Sequence, residues 1–118
     1  MSIHVAVVCM ELHLPAARSL KDKRRVIRSL VDRLFKRYRV SVAETGRQEL
    51  HQSSELTVAV VASSPKDLQK ILDNVNALAD ETSGAVLVRW DPYDASPTTE
   101  WVAGDDDALD FDESDFER

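Results

Sequence analysis

Residues 11–39, ELHLPAARSLKDKRRVIRSLVDRLFKRYR, contain the end of a strand, a short loop and a helix. Pro15 ends the strand, and Ser19 followed three residues later by Asp22 is a variant of the capping box that starts helices. Apolar residues then return every three or four positions, which predicts one buried helix face. That face consists of Leu20, Ile27, Leu30, Val31, Leu34 and Tyr38.

Arg24 interrupts this apolar face, because the spacing places it where an apolar residue is expected. A cation at such a position either extends its charged end to the rim of the core or pairs with a carboxylate. Glu11 and Glu44 are the candidate carboxylates. We expect a structural pairing, with a role in ligand binding as the alternative.

The rest of the chain supplies three more strands and a second helix. Strands are predicted at residues 3–12, 40–44, 56–62 and 85–90, and the second helix is predicted to begin at Ser64-Pro65 and end before Gly84. The first and third strands are apolar on both faces, which is typical of central strands. We expect Asp91-Pro92 to stop the last strand. The order of elements predicts an α+β fold, a ferredoxin-like βαββαβ sandwich with a four-stranded antiparallel sheet and both helices on one face.

Charge is distributed unevenly along the chain. The net charge is −6, but residues 1–39 carry ten of the fifteen Lys and Arg residues, and residues 94–118 carry ten acids against one Arg. This contrast predicts a ferredoxin-like domain at 1–93 and an acidic C-terminal tail at 94–118. Self-repulsion favours a disordered tail. The alternative is that apolar residues within it, such as Trp101 or Phe111, dock locally.

The cations around the start of the first helix are the best candidate for a functional surface. They are Arg18, Lys21, Lys23, Arg24, Arg25 and Arg28. Lys and Arg side chains bind phosphates by charge neutralisation, and a helix N-terminus adds oriented N–H groups. We therefore predict contact with the phosphates of an RNA. The alternatives are a solvated helix face and an acidic protein partner.

The face of the sheet that no helix covers is predicted to be apolar. If one face of the first strand packs against the helices, the other carries Val5, Val7 and Cys9 beside Ala59 and Val61. Exposed apolar patches mark interaction sites. We predict a homodimer packed sheet on sheet, with the tail folded over this face as the alternative.

No catalytic or cofactor site is recognisable in the sequence, so we expect a protein that is not an enzyme. The single cysteine, Cys9, excludes an internal disulfide and a multi-thiolate metal site. Glu11 and His13 share a strand face, but with Glu44 or His51 they give only a weak metal pattern, and no metal or cofactor is predicted. There is no phosphate-binding glycine loop, secretory signal or membrane-spanning apolar run. We expect a cytoplasmic location without membrane contact.

Three segments, MELHLPAARSLKDKRRVIRSL, RYRVSVAE and LTVAVVASS, together resemble the YlxP-like family, a bacterial domain of unknown function. The resemblance covers roughly residues 3–90 and is most specific in SLKDKRRV. Ala16 stands where the family usually has glycine, and His51 and Ser53 stand where it tends to have a Trp and an Arg. The resemblance implies a ferredoxin-like fold and a bacterial cytosolic setting. Genes of that family often lie beside translation and ribosome-maturation genes, so the resemblance implies ribosomal RNA or a ribosome-associated protein as the partner. It implies no catalytic residues.

Overall fold

Six elements follow one another in the computed structural model, which describes residues 2–97. They are β1 (His4–His13), α1 (Leu20–Tyr38), β2 (Ser41–Gly46), β3 (Ser53–Ala62), α2 (Pro65–Asp80) and β4 (Val86–Asp94). All strand pairs are antiparallel, and the order across the sheet is β2-β3-β1-β4. The predicted ferredoxin-like fold is confirmed, and β1 and β3 are the central strands, as their apolar patterns indicated.

The core lies between the helices and one face of the sheet. Alternate residues of β1 are buried, from Ala6 to Leu12, and so are their register partners in β3. The residues between them remain at least partly exposed. Because each fully buried aliphatic side chain contributes about 1.5–3 kcal/mol, this alternation fixes which face of each strand turns inward. The opposite face of the sheet is left open.

Both helices begin at a serine cap. The Ser19 hydroxyl accepts a hydrogen bond from the amide of Asp22 at 3.1 Å, and Ser64 accepts one from Asp67 at the same distance. The Asp22 carboxylate in turn accepts a hydrogen bond from the amide of Arg18 at 2.9 Å. Neither helix is long and apolar enough to cross a membrane. The caps fix where α1 starts, and with it the direction of every cation that the helix carries.

β3 begins earlier than its sequence indicated. It starts at Ser53 rather than Leu56, so the loop between β2 and β3 is shorter than the predicted strand bounds implied. Ser54 is completely buried opposite Leu12, although serine is mostly a surface residue. Its hydroxyl has a hydrogen-bond partner inside the protein, which makes this burial possible.

The prediction that Asp91-Pro92 stops the last strand is wrong, since β4 continues to Asp94. β4 is an edge strand. The amide of Ala95 donates to the carbonyl of Val5 at 2.9 Å, and antiparallel hydrogen bonds alternate along a strand pair. Pro92 therefore lies where its nitrogen points away from β1, and it removes no hydrogen bond from the sheet.

Residues 94–97 continue along the edge of β1. The Ser96 hydroxyl accepts a hydrogen bond from the amide of Val5 at 2.9 Å. The Ser96 amide donates to the Asp94 carboxylate at 2.9 Å, and this hydrogen bond lowers the pKa of Asp94. The predicted domain boundary between residues 93 and 94 thus falls inside β4. The rest of the acidic tail, with the predicted disorder or docking of Trp101 and Phe111, lies outside the described residues.

Candidate nucleic-acid interface

Lys23 is a buried cation. Its side chain is 2% exposed and lies against the hairpin loop between β2 and β3. The ammonium group donates to the carbonyl oxygens of Arg47, Gln48 and Ser53 at 2.9, 3.3 and 3.2 Å. An ammonium group has only three N–H donors, so none is left for an external phosphate. The prediction that Lys23 belongs to an RNA-binding surface is therefore wrong.

Glu44 supplies the counter-charge to this buried ammonium. Its carboxylate oxygen lies 3.1 Å from Lys23 Nζ and also accepts a hydrogen bond from the Ser54 hydroxyl. Burying an unpaired ion costs several kcal/mol, which the carboxylate and the three carbonyls offset. Within residues 2–97, every buried side-chain nitrogen and oxygen has a hydrogen-bond partner. Lys23 therefore has a structural role, with its ammonium group fully hydrogen-bonded inside the protein.

The contacts of Lys23 hold the hairpin loop, residues 47–52, against the start of α1. Arg47 has a left-handed backbone with a φ of 60°, which is uncommon for a residue with a side chain, and Lys23 binds its carbonyl. Gln52 ties the same loop to the connection between β1 and α1. Its carbonyl accepts from the Leu14 amide at 2.9 Å, and its side-chain amide donates to the Pro15 carbonyl at 3.2 Å. The two loops and the helix start form one connected surface.

Arg24 points to solvent, so the prediction that it pairs with Glu11 or Glu44 is wrong. Glu44 pairs with Lys23, and Glu11 pairs with Arg47 at 2.9 Å. Glu44, one of the two predicted carboxylates, does pair with a cation of α1. That cation is Lys23 and not its neighbour Arg24.

The spacing of the buried residues of α1 is compatible with a buried Lys23 but does not identify it. The buried set is Lys23, Ile27, Leu30 and Leu34. Lys23 precedes the other three by four, seven and eleven residues, which places all four on one side of a helix. A lysine is almost never fully buried unless it is paired, and the partners here come from a loop more than twenty residues away in sequence. The pattern alone therefore did not distinguish Lys23 from a surface cation.

The other five predicted cations all reach solvent, and we call them the basic face. They are Arg18, Lys21, Arg24, Arg25 and Arg28. The four on α1 lie within two helical turns. Lys21 is three and four residues from Arg24 and Arg25, and these are four and three residues from Arg28, so the set lies on one side of the helix and spans roughly 10 Å along its axis. Within residues 2–97, every ion pair involves Lys23, Arg47 or Arg89. No ion pair in that part of the chain neutralises the basic face.

The outer side of α2 has a different charge pattern. Its exposed cations Lys66 and Lys70 alternate with the exposed acids Asp67 and Asp73. Mixed charges of this kind neutralise one another and are typical of a solvated helix surface. Of the two helices, only α1 carries a run of exposed cations with no exposed acid between its first and last members, Lys21 and Arg28.

The open face of the sheet has an apolar patch at one end. Val5 lies opposite Val61, and Val7 lies between Ala59 on β3 and Tyr93 on β4. Val61 and Tyr93 are 69% and 61% exposed. With Cys9, the predicted set Val5, Val7, Ala59 and Val61 therefore shares one face, as expected. The apolar patch consists of Val5, Val7, Cys9, Ala59, Val61 and Tyr93.

The other end of the open face is charged. Glu11 and Glu55 lie directly opposite each other on β1 and β3. Arg47 pairs with Glu11 at 2.9 Å, and Arg89 lies 3.3 Å from both Glu55 and Asp91. Partial burial lowers the pKa of Arg89, but the surrounding carboxylates, Asp91 foremost, raise it above its usual value. Two arginines thus offset the repulsion between carboxylates on neighbouring strands.

The weak metal pattern does not form a site. Glu11 lies on the open face of the sheet, whereas Glu44 points towards the helices. His13 Nδ1 lies 3.0 Å from the carbonyl oxygen of Gln52. Across residues 2–97, no three side chains of the metal-binding types cluster together.

Comparisons with known proteins concern the family and the fold. Residues 5–91 match a family model described as a protein of unknown function, DUF503. The chain is similar to the uncharacterized protein YlxP of Bacillus subtilis (strain 168), with 36% identity over 64 residues, covering 54% of this chain and 70% of the relative. It is also similar to a solution NMR structure of a de novo designed protein with a ferredoxin fold. That likeness has 13% identity and a TM-score of 0.45, and covers 87% of this chain and 94% of the designed one.

Replacing Lys23 by Met is expected to lower the free energy of unfolding by about 3 kcal/mol. The apolar part of the side chain is kept, but Glu44 and three buried carbonyl groups lose their donor. Urea unfolding followed by circular dichroism measures the change. Arg24→Met, at the next position but exposed, is the matched control and should cost less than about 0.5 kcal/mol. Equal losses in the two variants would contradict the structural role of Lys23.

Proposed function

Because the chain belongs to the family described as a protein of unknown function, DUF503, we propose its function from its own surface. We propose a small, non-enzymatic accessory protein of the bacterial cytosol that contacts RNA or a ribosomal particle through the basic face of α1. The predicted resemblance to the YlxP-like family is confirmed. Neither the family description nor the name of the relative states an activity.

The observation that supports this proposal is that, within residues 2–97, no carboxylate forms an ion pair with a cation of the basic face. Arg18, Lys21, Arg24, Arg25 and Arg28 are exposed, and no ion pair among residues 2–97 includes them. Clustered cations of this kind attract polyanions and repel one another in the free protein. Binding phosphates relieves that repulsion and releases counterions from the nucleic acid.

The contact is expected to be mainly with the RNA backbone. Cations on a helix face bind phosphates without regard to sequence. On the open face of the sheet, the central strands carry Val7 and Ala59 where an RNA-recognition motif would carry aromatic residues. The sheet therefore lacks the stacking platform of that motif, and the helix surface is the better candidate.

Charge reversal on the basic face tests the proposal. In the triple variant Lys21→Glu/Arg25→Glu/Arg28→Glu, binding to ribosomal RNA fragments should weaken strongly. The slope of log affinity against log salt should become shallower by about two to three. Fewer phosphates are contacted by the variant, so fewer counterions are released on binding. Fluorescence anisotropy across a salt series measures both quantities. The matched control is Lys66→Glu/Lys70→Glu on α2, and an equal loss in this control would show that binding is not specific to α1.

Removing the acidic tail provides a second test. Residues 98–118 carry nine acids and one Arg, so the tail competes with RNA for the basic face in this proposal. Truncation after Pro97 should tighten RNA binding while leaving the hydrogen bonds of Ala95 and Ser96 to β1 in place. The gain should shrink as salt is added. Unchanged affinity at low salt would show that the tail does not compete.

A second candidate function is a homodimeric protein-interaction module with an acidic protein partner. The apolar patch favours it, because Val61 and Tyr93 are largely exposed beside half-buried valines. The patch occupies one end of the open face, and the Arg47 and Arg89 ion pairs occupy the other. Two chains stacked sheet on sheet about Val7 would bring patch against patch, and the charged ends would stay in water.

Val61→Asp should dissociate such a dimer, because it places two charges in an apolar interface. Val61 is 69% exposed, so the substitution leaves the core of each chain intact. Sedimentation velocity at several concentrations should show a dimer for the natural chain and a monomer for the variant. Val86→Asp, at the charged end of the sheet and 51% exposed, serves as the control and should remain dimeric. A natural chain that is monomeric at all concentrations would exclude this second candidate.

A further inference from the structure

A groove opens where the outer side of α1 approaches the edge strand β2. Its volume is about 420 Å³. The lining combines an aromatic ring, a cation, a carboxylate and a hydroxyl with three valines. The residues are Val31, Asp32, Phe35, Arg39, Val40, Ser41 and Val42. None of them takes part in the basic face, yet the groove is its direct continuation along the helix.

Phe35 is the most unusual residue of this groove. It is 52% exposed in the last turns of α1, where a polar residue is the ordinary choice. The guanidinium carbon of Arg39 lies 5.1 Å from the centroid of its ring. Arg39 has a left-handed backbone with a φ of 54°, and its amide donates to the carbonyl of Phe35 at 2.9 Å. The end of the helix thus places a planar cation near one face of an aromatic ring that remains half-exposed.

The groove and the basic face lie on the same side of α1. Phe35 follows Arg28 by seven residues, or two helical turns, which is roughly 10 Å along the axis. Asp32 lies between them and lines the groove. A carboxylate at that point is unfavourable for a phosphate, but it accepts hydrogen bonds from the amino groups of bases. The charge pattern therefore changes from phosphate-binding cations to base-binding groups along one helix.

We propose that this groove binds one unpaired nucleobase of the RNA whose backbone crosses the basic face. This inference rests on the proposed function and adds a preference for single-stranded RNA. The base stacks on the Phe35 ring in place of the Arg39 guanidinium, which turns outward to a phosphate. Stacking of a base on an aromatic ring is stronger than a solvent-exposed cation–π contact, so the exchange favours binding.

A peptide strand that pairs with the free edge of β2 is the competing occupant. β2 is only six residues long, and its register with β3 is irregular between Glu44 and Gly46. Few regular hydrogen bonds are therefore available to an added strand. The aromatic ring, its stacked cation and the continuity with the basic face favour a nucleobase.

Substitution of Phe35 tests the inference on the full chain. The probes are a fluorescent single-stranded RNA of about 12 nucleotides, rich in adenine, and a duplex of the same length. Phe35→Leu should weaken binding to the single strand by about five- to tenfold and leave duplex binding within about twofold. The salt slope should not change, because stacking releases no counterions. Phe35→Trp should keep or increase the affinity for the single strand.

Tyr93→Leu is the matched control. Tyr93 is 61% exposed, but it lies on the open face of the sheet. Its loss should not affect binding of either probe. Thermal unfolding of each variant confirms that it is folded before binding is measured.

The possible failures are distinguishable. If the natural chain binds neither probe at low salt, the proposed function fails and this inference fails with it. If charge reversal on the basic face weakens binding but Phe35→Leu leaves single-strand affinity unchanged, only the inference is overturned, and the groove is left to a peptide. Equal weakening by Tyr93→Leu would also overturn it, because the base would then lie on the sheet.

Discussion

The buried ammonium group of Lys23 is the interaction on which the arrangement of this protein depends. A charge in the interior is tolerated only when all its hydrogen bonds are made, and here three carbonyls and the Glu44 carboxylate make them. These partners belong to β2, the hairpin loop and the start of β3, whereas the lysine belongs to α1. The Lys23 ammonium group therefore links α1 to β2, to the hairpin loop and to β3. It also holds Arg47 in a backbone conformation that a residue with a side chain seldom adopts.

The rotation of α1 about its own axis follows from that ion. With Lys23 directed inward beside Ile27, the next position, Arg24, must point outward. The same rotation exposes Lys21, Arg25 and Arg28. The basic face is therefore a consequence of the core contact and of the serine cap that starts the helix. A helix rotated by one residue would bury an arginine and would present a different set of charges.

The two exposed sides of the sandwich differ in their chemistry. The helix side carries the uncompensated basic face and, beyond it, the groove around Phe35. The open side of the sheet carries an apolar patch and a set of carboxylates neutralised by Arg47 and Arg89. Because these surfaces lie on opposite sides of the domain, a polyanion on one does not obstruct self-association through the other. The RNA and dimer proposals are physically compatible.

The sequence by itself determined the order of elements, the central position of β1 and β3, both serine caps and the shared face of the valines on the open sheet. Each of these follows from local periodicity or capping chemistry, which neighbouring residues encode. It also located the basic start of α1, where five of the six predicted cations are exposed. It failed for Lys23 and Arg24, because hydrophobic spacing does not show which cation will meet carbonyl groups from a loop more than twenty residues away. It failed at Pro92 for a related reason, since a proline is tolerated in a strand only when that strand lies at the edge of the sheet. Only the tertiary structure decided these points, because partners for a buried charge and the position of a strand in a sheet depend on contacts between distant segments.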